Sequence, residues 1–200
     1  MEPIEDVSQT RTFDTPFGTK TYAEISDLIA EPLRVTMNEI ARGEFSDLPL
    51  DTELIRGFHR RILQEVIPDI AGKWRQCAVR VGSHYPPEHI HVPRRMLEMI
   101  DHVHSRLQYA DDNLDFQIEA LAYIEAEFLH IHPFTDFNGR AVRLLLAELM
   151  QRLDLPVVPL YVEKDTAAFR AYLAALRVYD TDNSLFPLKD FWAEYRFGVA

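Results

Sequence analysis

Apolar residues recur at intervals of three and four along most of the chain, which is the spacing that buries one face of an α-helix. In the stretch 114–130, for example, Ile118, Leu121 and Phe128 fall on one face. Prolines and short polar clusters separate these stretches. The pattern predicts helices over 22–42 with an interruption at Pro32, 51–67, 93–109, 114–130, 141–153, 166–178 and 187–195. We therefore predict an all-α fold.

Two short regions depart from the helical spacing. The run from Cys77 to Gly82 is prone to form a strand and is followed by Tyr85-Pro86-Pro87, and proline does not fit a helix interior or a central strand. We predict a short strand that ends in a turn here. Residues 1–20 are expected either to be loosely ordered or to form a short hairpin around Pro16-Phe17-Gly18, and loops are expected at 43–49 and 111–113.

The densest chemistry lies in the twelve residues from His132 to Arg143, which read HPFTDFNGRAVR. Asn138 and Gly139 precede a predicted amphipathic helix, whose first N–H groups have no internal partner and carry a positive dipole. Asparagine is a good N-cap, and glycine lets the backbone approach a ligand. Arg140 and Arg143 are three residues apart and can face the same side. Together these groups predict a phosphate-binding site.

Two further residues of the segment suggest what is done to the phosphate. Asp136 cannot bind phosphate itself, so its natural partner is a hard divalent cation, with Mg²⁺ the expected ion. His132 is the only base in the segment that is neutral at pH 7. A base and a metal-binding carboxylate beside phosphates indicate transfer chemistry on a metal-bound nucleotide.

The whole string resembles the signature of the Fic family, which runs His, any, Phe, any, Asp or Glu, Gly, Asn, Gly, Arg, two of any kind, Arg. Phe137 stands where the family usually has Gly, and every other specified position matches. We expect the Phe137 ring to pack on the protein and leave the backbone turn intact. The resemblance continues more weakly over about residues 51–195, including a Gly-Lys-x-Arg sequence at 72–75 that leads into the strand-prone run, which fits the family's exposed flap.

The resemblance implies a Fic-type helical domain with the β-hairpin flap over the active site. It divides the chain into an N-terminal helical extension, 1–50, packed on a Fic core, 51–200. It also implies a protein adenylyltransferase that uses ATP and Mg²⁺ and moves AMP to a Ser, Thr or Tyr hydroxyl of a target protein. On that pattern His132 is the catalytic base and Asp136 the metal ligand. The phosphates are held by Phe137, Asn138, Gly139, Arg140 and Arg143, and the target backbone pairs with the flap residues Val79, Arg80, Val81 and Gly82.

Composition and charge limit the kinds of partner and the cellular location that we expect. The chain has 200 residues and a formal net charge of −11, which argues against nonspecific nucleic-acid binding and makes a pair of arginines a local anion site. No apolar run is long enough to cross a membrane. The first residues lack a signal core and Cys77 is the single cysteine, so we expect a cytoplasmic protein without disulfides.

Three alternatives remain open from the sequence. The donor could carry another phosphate-linked group, because Phe137 lies near where that choice is made. A noncatalytic Fic-like scaffold could bind a partner through the flap by strand addition. A zinc-dependent hydrolase, the least favoured, would use the histidine pairs 89/91, 102/104 or 130/132, of which 89/91 is the best placed.

Many Fic proteins are inhibited through the pattern Ser or Thr, three of any kind, Glu, then Gly or Asn, whose glutamate pairs with the second signature arginine. No Ser or Thr in this chain has Glu four residues later. We therefore expect Arg143 to be free for the γ-phosphate, unless a separate small inhibitory protein or a carboxylate such as Glu39 or Glu44 covers it.

Overall fold

The computed structural model describes residues 11–110 and 112–199 and is 60% helical. Within those residues the helices are α1 (Tyr22–Leu28), α2 (Ala30–Ala41), α3 (Thr52–Leu63), α4 (Val92–Ala110), α5 (Leu114–Ile131), α6 (Asn138–Arg152), α7 (Ala167–Asp182) and α8 (Phe186–Phe191). A 3₁₀ turn, His89–His91, precedes α4, and a π-helical turn, Trp192–Arg196, follows α8. The predicted all-α class is confirmed.

Helix α5 forms the centre of the domain. It is buried on nearly all sides and packs against α4, α6, α7 and α8, because a helix that is apolar all round is stable only inside a core. Helix α6 packs against α5 on one side and against α2 and α3 on the other. The short connection from α5 to α6 is the segment 132–137, so the predicted chemistry lies between the two best-buried helices.

Helix boundaries differ from the sequence prediction where local capping overrides periodicity. The break in the first predicted helix lies at Ile29 rather than Pro32, since Pro32 sits in the first turn of α2, where its missing N–H costs nothing. Helix α3 ends at Leu63, and 64–72 continue as turns instead of helix.

The strands lie mainly outside the predicted flap. The hairpin expected around Pro16 is present as β1 (Thr12–Thr15) and β2 (Gly18–Thr21), paired antiparallel with Thr12 opposite Thr21. In the flap region the only pairing recorded in the described residues is a single bridge between Val81 and His84, beside another between Trp74 and Phe134. The flap is therefore a tight turn rather than a two-stranded hairpin. Prolines 86 and 87 follow it at once and donate no ladder hydrogen bonds.

No helix in the described part of the chain is long and apolar enough to cross a membrane. The expected helical extension at 1–50 corresponds to β1, β2, α1 and α2 in its described part, and residues 1–10 lie outside the described residues.

Candidate active site

A large cleft opens where the α5–α6 connection meets the flap and the N-terminal hairpin. Its volume is about 1270 Å³, more than the roughly 300–1,000 Å³ of most small-molecule sites. Ten of the eleven residues predicted to form the site line it, and Val79 is the exception. Six basic side chains and one carboxylate face it: Arg11, Arg80, Arg140, Arg143, Lys164, Arg177 and Asp136. In an acidic protein this is a concentrated positive site for an anion.

His132 terminates α5 in the left-handed conformation, with φ 50° and ψ 62°. Its backbone N–H still bonds the Phe128 carbonyl at 2.9 Å, so the helix end fixes the side chain toward the cleft. Nδ1 of His132 is buried and lacks a hydrogen-bond partner within the described residues. Burial lowers the pKa of His132 to about 4. The imidazole is therefore neutral at pH 7 and can accept a proton.

Arg75 fixes the backbone on both sides of the cleft, a role that the sequence analysis did not assign. The side chain is 1% exposed. Its guanidinium donates to the carbonyls of His132 at 2.8 Å and Cys77 at 2.9 Å, and also to that of Pro87. The Arg75 backbone N–H donates to the Pro133 carbonyl at 2.9 Å. Arg75 thus links the flap to the peptide of His132.

The loop between His132 and α6 is closed by Asn138. Its side-chain oxygen accepts from the Phe134 N–H and its side-chain nitrogen donates to the Phe134 carbonyl, both at 2.9 Å. The prediction that Asn138 caps α6 is wrong: Phe137 is the N-cap and contributes no side-chain bond. The Asn138 amide group is committed to the loop, so only its backbone N–H is available to a ligand. The N–H groups of Arg140 and Ala141 already bond the Phe137 carbonyl.

His59 on α3 supports the same loop from beneath, and the sequence analysis did not single it out. Its ring is fully buried and stacks on Phe134 with ring centroids 3.7 Å apart. Nδ1 accepts from the Gly72 N–H at 3.0 Å, so Nε2 carries the proton and donates to the Asp136 carbonyl at 3.1 Å. Burial lowers the pKa of His59 to about 4, and the neutral ring is the form that makes both bonds.

Phe137 keeps the turn that glycine would make. Its φ is 60° and ψ 19°, a left-handed conformation that costs a non-glycine residue roughly 1–2 kcal/mol. As expected, the ring packs on the protein: it is 3% exposed, stacks on Tyr22 at 5.5 Å and contacts Phe13 at 5.7 Å. Burial of the ring offsets the backbone strain.

Asp136 is the one acidic residue among the described residues that line the cleft. One carboxylate oxygen accepts from the Phe137 N–H at 2.7 Å, and the other pairs with Arg11 at 2.8 Å. Burial raises the pKa of Asp136, although both contacts oppose the shift. A carboxylate offers about four lone-pair sites, so these contacts leave room for a hard cation of the Mg²⁺ type. The donor set fits that ion, with Arg11 as its competitor.

The two signature arginines face the cleft in different ways. Arg140 donates to the Tyr22 hydroxyl at 3.0 Å and the Ser26 hydroxyl at 2.8 Å, which joins α1 to the start of α6. Arg143 bonds the Gly139 carbonyl at 2.8 Å and lies over the Tyr161 ring at 5.7 Å. No ion pair with Arg143 is recorded in the described residues.

The carboxylates considered as covers for Arg143 lie in other contacts. Glu39 pairs with Arg61, and Glu44 pairs with Arg42 at 2.7 Å. Neither forms an ion pair with Arg143.

The flap forms the opposite wall. Gly82 has φ 60°, a conformation that side chains rarely adopt, and its neighbours Val81 and Ser83 are exposed. Val81 and His84 exchange backbone bonds of 3.0 and 2.9 Å. The flap therefore remains open to solvent along much of its backbone.

The predicted histidine pairs do not form metal sites. His89 and His91 lie in a 3₁₀ turn, while Nδ1 of His102 bonds the Tyr123 hydroxyl and Nε2 of His104 bonds the Leu50 carbonyl. The one candidate cluster in the described residues joins His130 to two residues that the sequence analysis passed over, His84 and Asp180.

Comparison with known proteins places these features in a family. Residues 49–150 match the Fic/DOC family. The chain is 38% identical over 131 residues to protein adenylyltransferase fic-1 of Caenorhabditis briggsae, which covers 66% of this chain and 25% of that protein. It is 35% identical over 106 residues to protein adenylyltransferase Fic of Aedes aegypti, which covers 53% of this chain and 20% of that protein. This chain thus spans a quarter or less of those relatives.

Solved structures agree on the fold. A fragment of Fic-1 from C. elegans superimposes with a TM-score of 0.60 at 26% identity, covering 82% of this chain and 45% of that one. The BepC protein of Bartonella tribocorum, solved with bound AMPPNP, superimposes with a TM-score of 0.65 at 17% identity, covering 90% of both chains. With half of its length matched and its signature folded around a basic cleft, this chain belongs to the Fic/DOC family.

Proposed function

We propose that this chain is a protein adenylyltransferase, which moves AMP from ATP to a Ser, Thr or Tyr hydroxyl of a target protein. The observation that carries the proposal is the joint placement of a neutral, unpartnered His132 Nδ1 and the α6 N-terminus in one basic cleft. The printed names of the relatives, protein adenylyltransferases, support the same reaction. The cleft has room for a nucleotide and an incoming target side chain.

His132 acts as the general base. It takes the proton of the target hydroxyl while that oxygen attacks the α-phosphorus and the bond from phosphorus to the leaving pyrophosphate breaks. Negative charge collects on the pyrophosphate, where Arg140, Arg143 and the backbone N–H groups of Asn138 and Gly139 stabilise it. Phe137 contributes through its backbone turn, because its ring is committed to Tyr22 and Phe13.

Asp136 would hold Mg²⁺, which when bound supplies charge neutralisation at the nucleotide phosphates. The Arg11 guanidinium must move off the carboxylate or share it. Arg11 lines the same cleft, so after leaving Asp136 it can contact a phosphate. The N-terminal hairpin thereby becomes part of the nucleotide site.

The flap residues Val79, Arg80, Val81 and Gly82 would pair with the backbone of the target. Backbone pairing positions a hydroxyl while demanding little of the surrounding target sequence. The exposure of the flap and its single internal bridge support this role. The division into an extension, 1–50, and a Fic core, 51–200, belongs to the same proposal.

We expect no inhibition of this chain through the usual glutamate of the family pattern. The usual inhibitory pattern is missing from the sequence, and Glu39 and Glu44 are held by other arginines. We expect activity without activating mutations, and Arg143→Ala should weaken it. Inhibition by a separate small protein would act by covering Arg143. A carboxylate found on Arg143, with activity appearing only after its removal, would contradict this account.

The test is incubation with labelled ATP and Mg²⁺, followed by intact-mass measurement of the modified protein. A gain equal to one AMP, lost in His132→Ala, supports adenylyl transfer. Offering other nucleotides in the same tube tests the second donor class, which remains in view because Phe137 replaces the usual glycine. Nucleotide binding without any transfer would favour the noncatalytic scaffold.

A further inference from the structure

Three side chains from different parts of the fold converge behind the flap. His84 follows the flap turn, His130 lies in the last turn of α5, and Asp180 lies near the end of α7. One ligand atom from each lies within 4.8 Å of the others. The side chains are 13%, 22% and 21% exposed in that order, so the cluster is sheltered but reachable from solvent.

The hydrogen bonds of this cluster leave a place for one cation between His84 and Asp180. Nε2 of His84 lies 2.8 Å from the His130 carbonyl, which only accepts, so Nε2 carries a proton. Nδ1, the other ring nitrogen of His84, faces the Asp180 carboxylate at 3.4 Å. Two electron-rich atoms at that distance repel each other unless a cation, a proton or a metal ion, lies between them.

The spacing and the supporting bonds suit a metal ion. Two ligands of a tetrahedral zinc, each about 2.0–2.1 Å from the ion, lie about 3.3 Å apart. His84 Nδ1 and Asp180 Oδ1 are already 3.4 Å apart, and His130 Nδ1 and the same oxygen are 2.9 Å apart, so both distances to the carboxylate are within a few tenths of an ångström of that spacing. Metal-bound histidines usually donate their other ring N–H to a carbonyl or carboxylate, as His84 does.

We propose that His84, His130 and Asp180 bind one zinc-class divalent ion, which fastens the flap to the ends of α5 and α7. Two imidazoles and one carboxylate select zinc and its neighbours over magnesium or calcium. The fourth position would be open to water. His132 lies two residues beyond His130 but is not part of the set, so this site is separate from the transfer chemistry and does not depend on it.

The experiment is equilibrium dialysis of the full chain against zinc, with bound metal counted by mass spectrometry. Cobalt(II) absorption in the visible range then reports the coordination geometry. We expect one saturable zinc per chain. His84→Ala and the near-isosteric Asp180→Asn should each weaken it by at least about 10-fold, the lower end of what loss of an outer partner costs.

Two control variants and one flap measurement complete the test. His91→Ala removes an exposed histidine outside the cluster, and Cys77→Ser removes the exposed thiol; both should bind zinc like the unmodified chain. Hydrogen exchange of residues 79–84 should slow with zinc in the unmodified chain and not in Asp180→Asn. A missing saturable site, or an affinity that survives both cluster variants, would overturn the site. Tight binding with unchanged flap exchange would overturn the fastening role.

Discussion

The two walls of the cleft are held very differently. The signature-loop wall, 132–143, is fixed by Asn138, by His59 beneath it and by the Arg75 bonds to the carbonyls of His132 and Pro133. The flap wall, 79–84, has one internal bridge and exposed residues. The wall that would perform the chemistry is preorganised, which transition-state stabilisation requires, whereas the wall that would meet a target retains free backbone. Changes to the first wall should affect every substrate, and changes to the second should affect target recognition.

On the signature-loop wall, we expect the largest effect from His132→Ala. Loss of the general base should slow transfer by about 10²–10⁴-fold, because His132 is the one histidine among the described residues that line the cleft. ATP binding, measured by calorimetry, should stay close to that of the unmodified chain, since His132 lies outside the phosphate contacts. Transfer by His132→Ala at a near-normal rate would remove the proposed mechanism.

The second effect concerns the stability of the folded protein at low pH, which depends on His59 beneath the signature-loop wall. The pKa of His59 is lowered to about 4 in the folded protein, below its usual value, so the unfolded chain binds more protons between these limits. Stability is therefore complete above about pH 6.5 and is lost as pH falls toward 4, by about 3 kcal/mol for this residue. His132 acts in the same direction.

Urea unfolding at about pH 7, 5.5 and 4.5 measures this dependence. His59→Gln should flatten the slope, even though it lowers stability at neutral pH. His91→Gln, at an exposed position, is the matched control and should leave the slope unchanged. Equal slopes for all three proteins would show that His59 titrates normally.

The third effect separates ligand contact from folding. A Cβ at Gly139 would meet no heavy atom within 4 Å, and alanine favours the first turn of a helix. Gly139→Ala should therefore fold at least as well as the unmodified chain. Its methyl group would enter the phosphate position and should weaken ATP binding about tenfold, or about 1.4 kcal/mol. Unchanged ATP affinity would place the phosphates elsewhere in the cleft.

The fourth effect tests whether the flap wall pairs with the target backbone. Arg80→Pro removes one backbone N–H from the flap, and Arg80→Ala removes only the side chain. If the target pairs with the flap backbone, the proline variant should raise KM for the target about fivefold more than the alanine variant, the value of one hydrogen bond of about 1 kcal/mol. Identical KM values for the two variants would rule out pairing at this residue.

The smallest effect tests whether Arg11 and Mg²⁺ compete for the Asp136 carboxylate. Arg11 is half exposed, and such ion pairs contribute about 0–1 kcal/mol. Arg11→Ala should lower the Mg²⁺ concentration for half-maximal nucleotide binding by up to about fivefold. Asp136→Ala should abolish the Mg²⁺ dependence altogether. A higher Mg²⁺ requirement in Arg11→Ala would show that Arg11 supports the ion instead of competing with it.

Sequence reasoning found what is local and missed what is remote. The helices and the segment 132–143 follow from spacing within about four residues. Arg75 and His59 bind backbone carbonyls that are 57 and 77 residues away. Every residue has a backbone carbonyl, so no residue type in the sequence signals these bonds. His130 and Asp180 meet because α5 and α7 pack together, and His84 reaches them through its bond to the His130 carbonyl. Asn138 looked like a cap, but its side chain found two partners on Phe134 instead.

The flap has less strand pairing than the sequence suggests, and the cause is related. A β-prone run predicts a strand only if a second strand lies beside it. After the turn at Gly82 and Ser83, the chain reaches His84 and then Pro86 and Pro87. The prolines end the pairing after one bridge. At 12–21 two such runs flank Pro16 and Phe17, and a full hairpin forms.

Phe137, which stands where the Fic signature usually has glycine, couples the motion of the signature loop to that of the N-terminal hairpin and α1. Glycine would let the signature turn open by itself, whereas the Phe137 ring is held by Tyr22 and Phe13 from the N-terminal hairpin and α1. The loop can then open only when those rings separate, so loop and hairpin should exchange their amide hydrogens as one cooperative unit. Evolution of this chain would accordingly constrain residues 13, 22 and 137 together, and a change at one would be tolerated best beside a change at another.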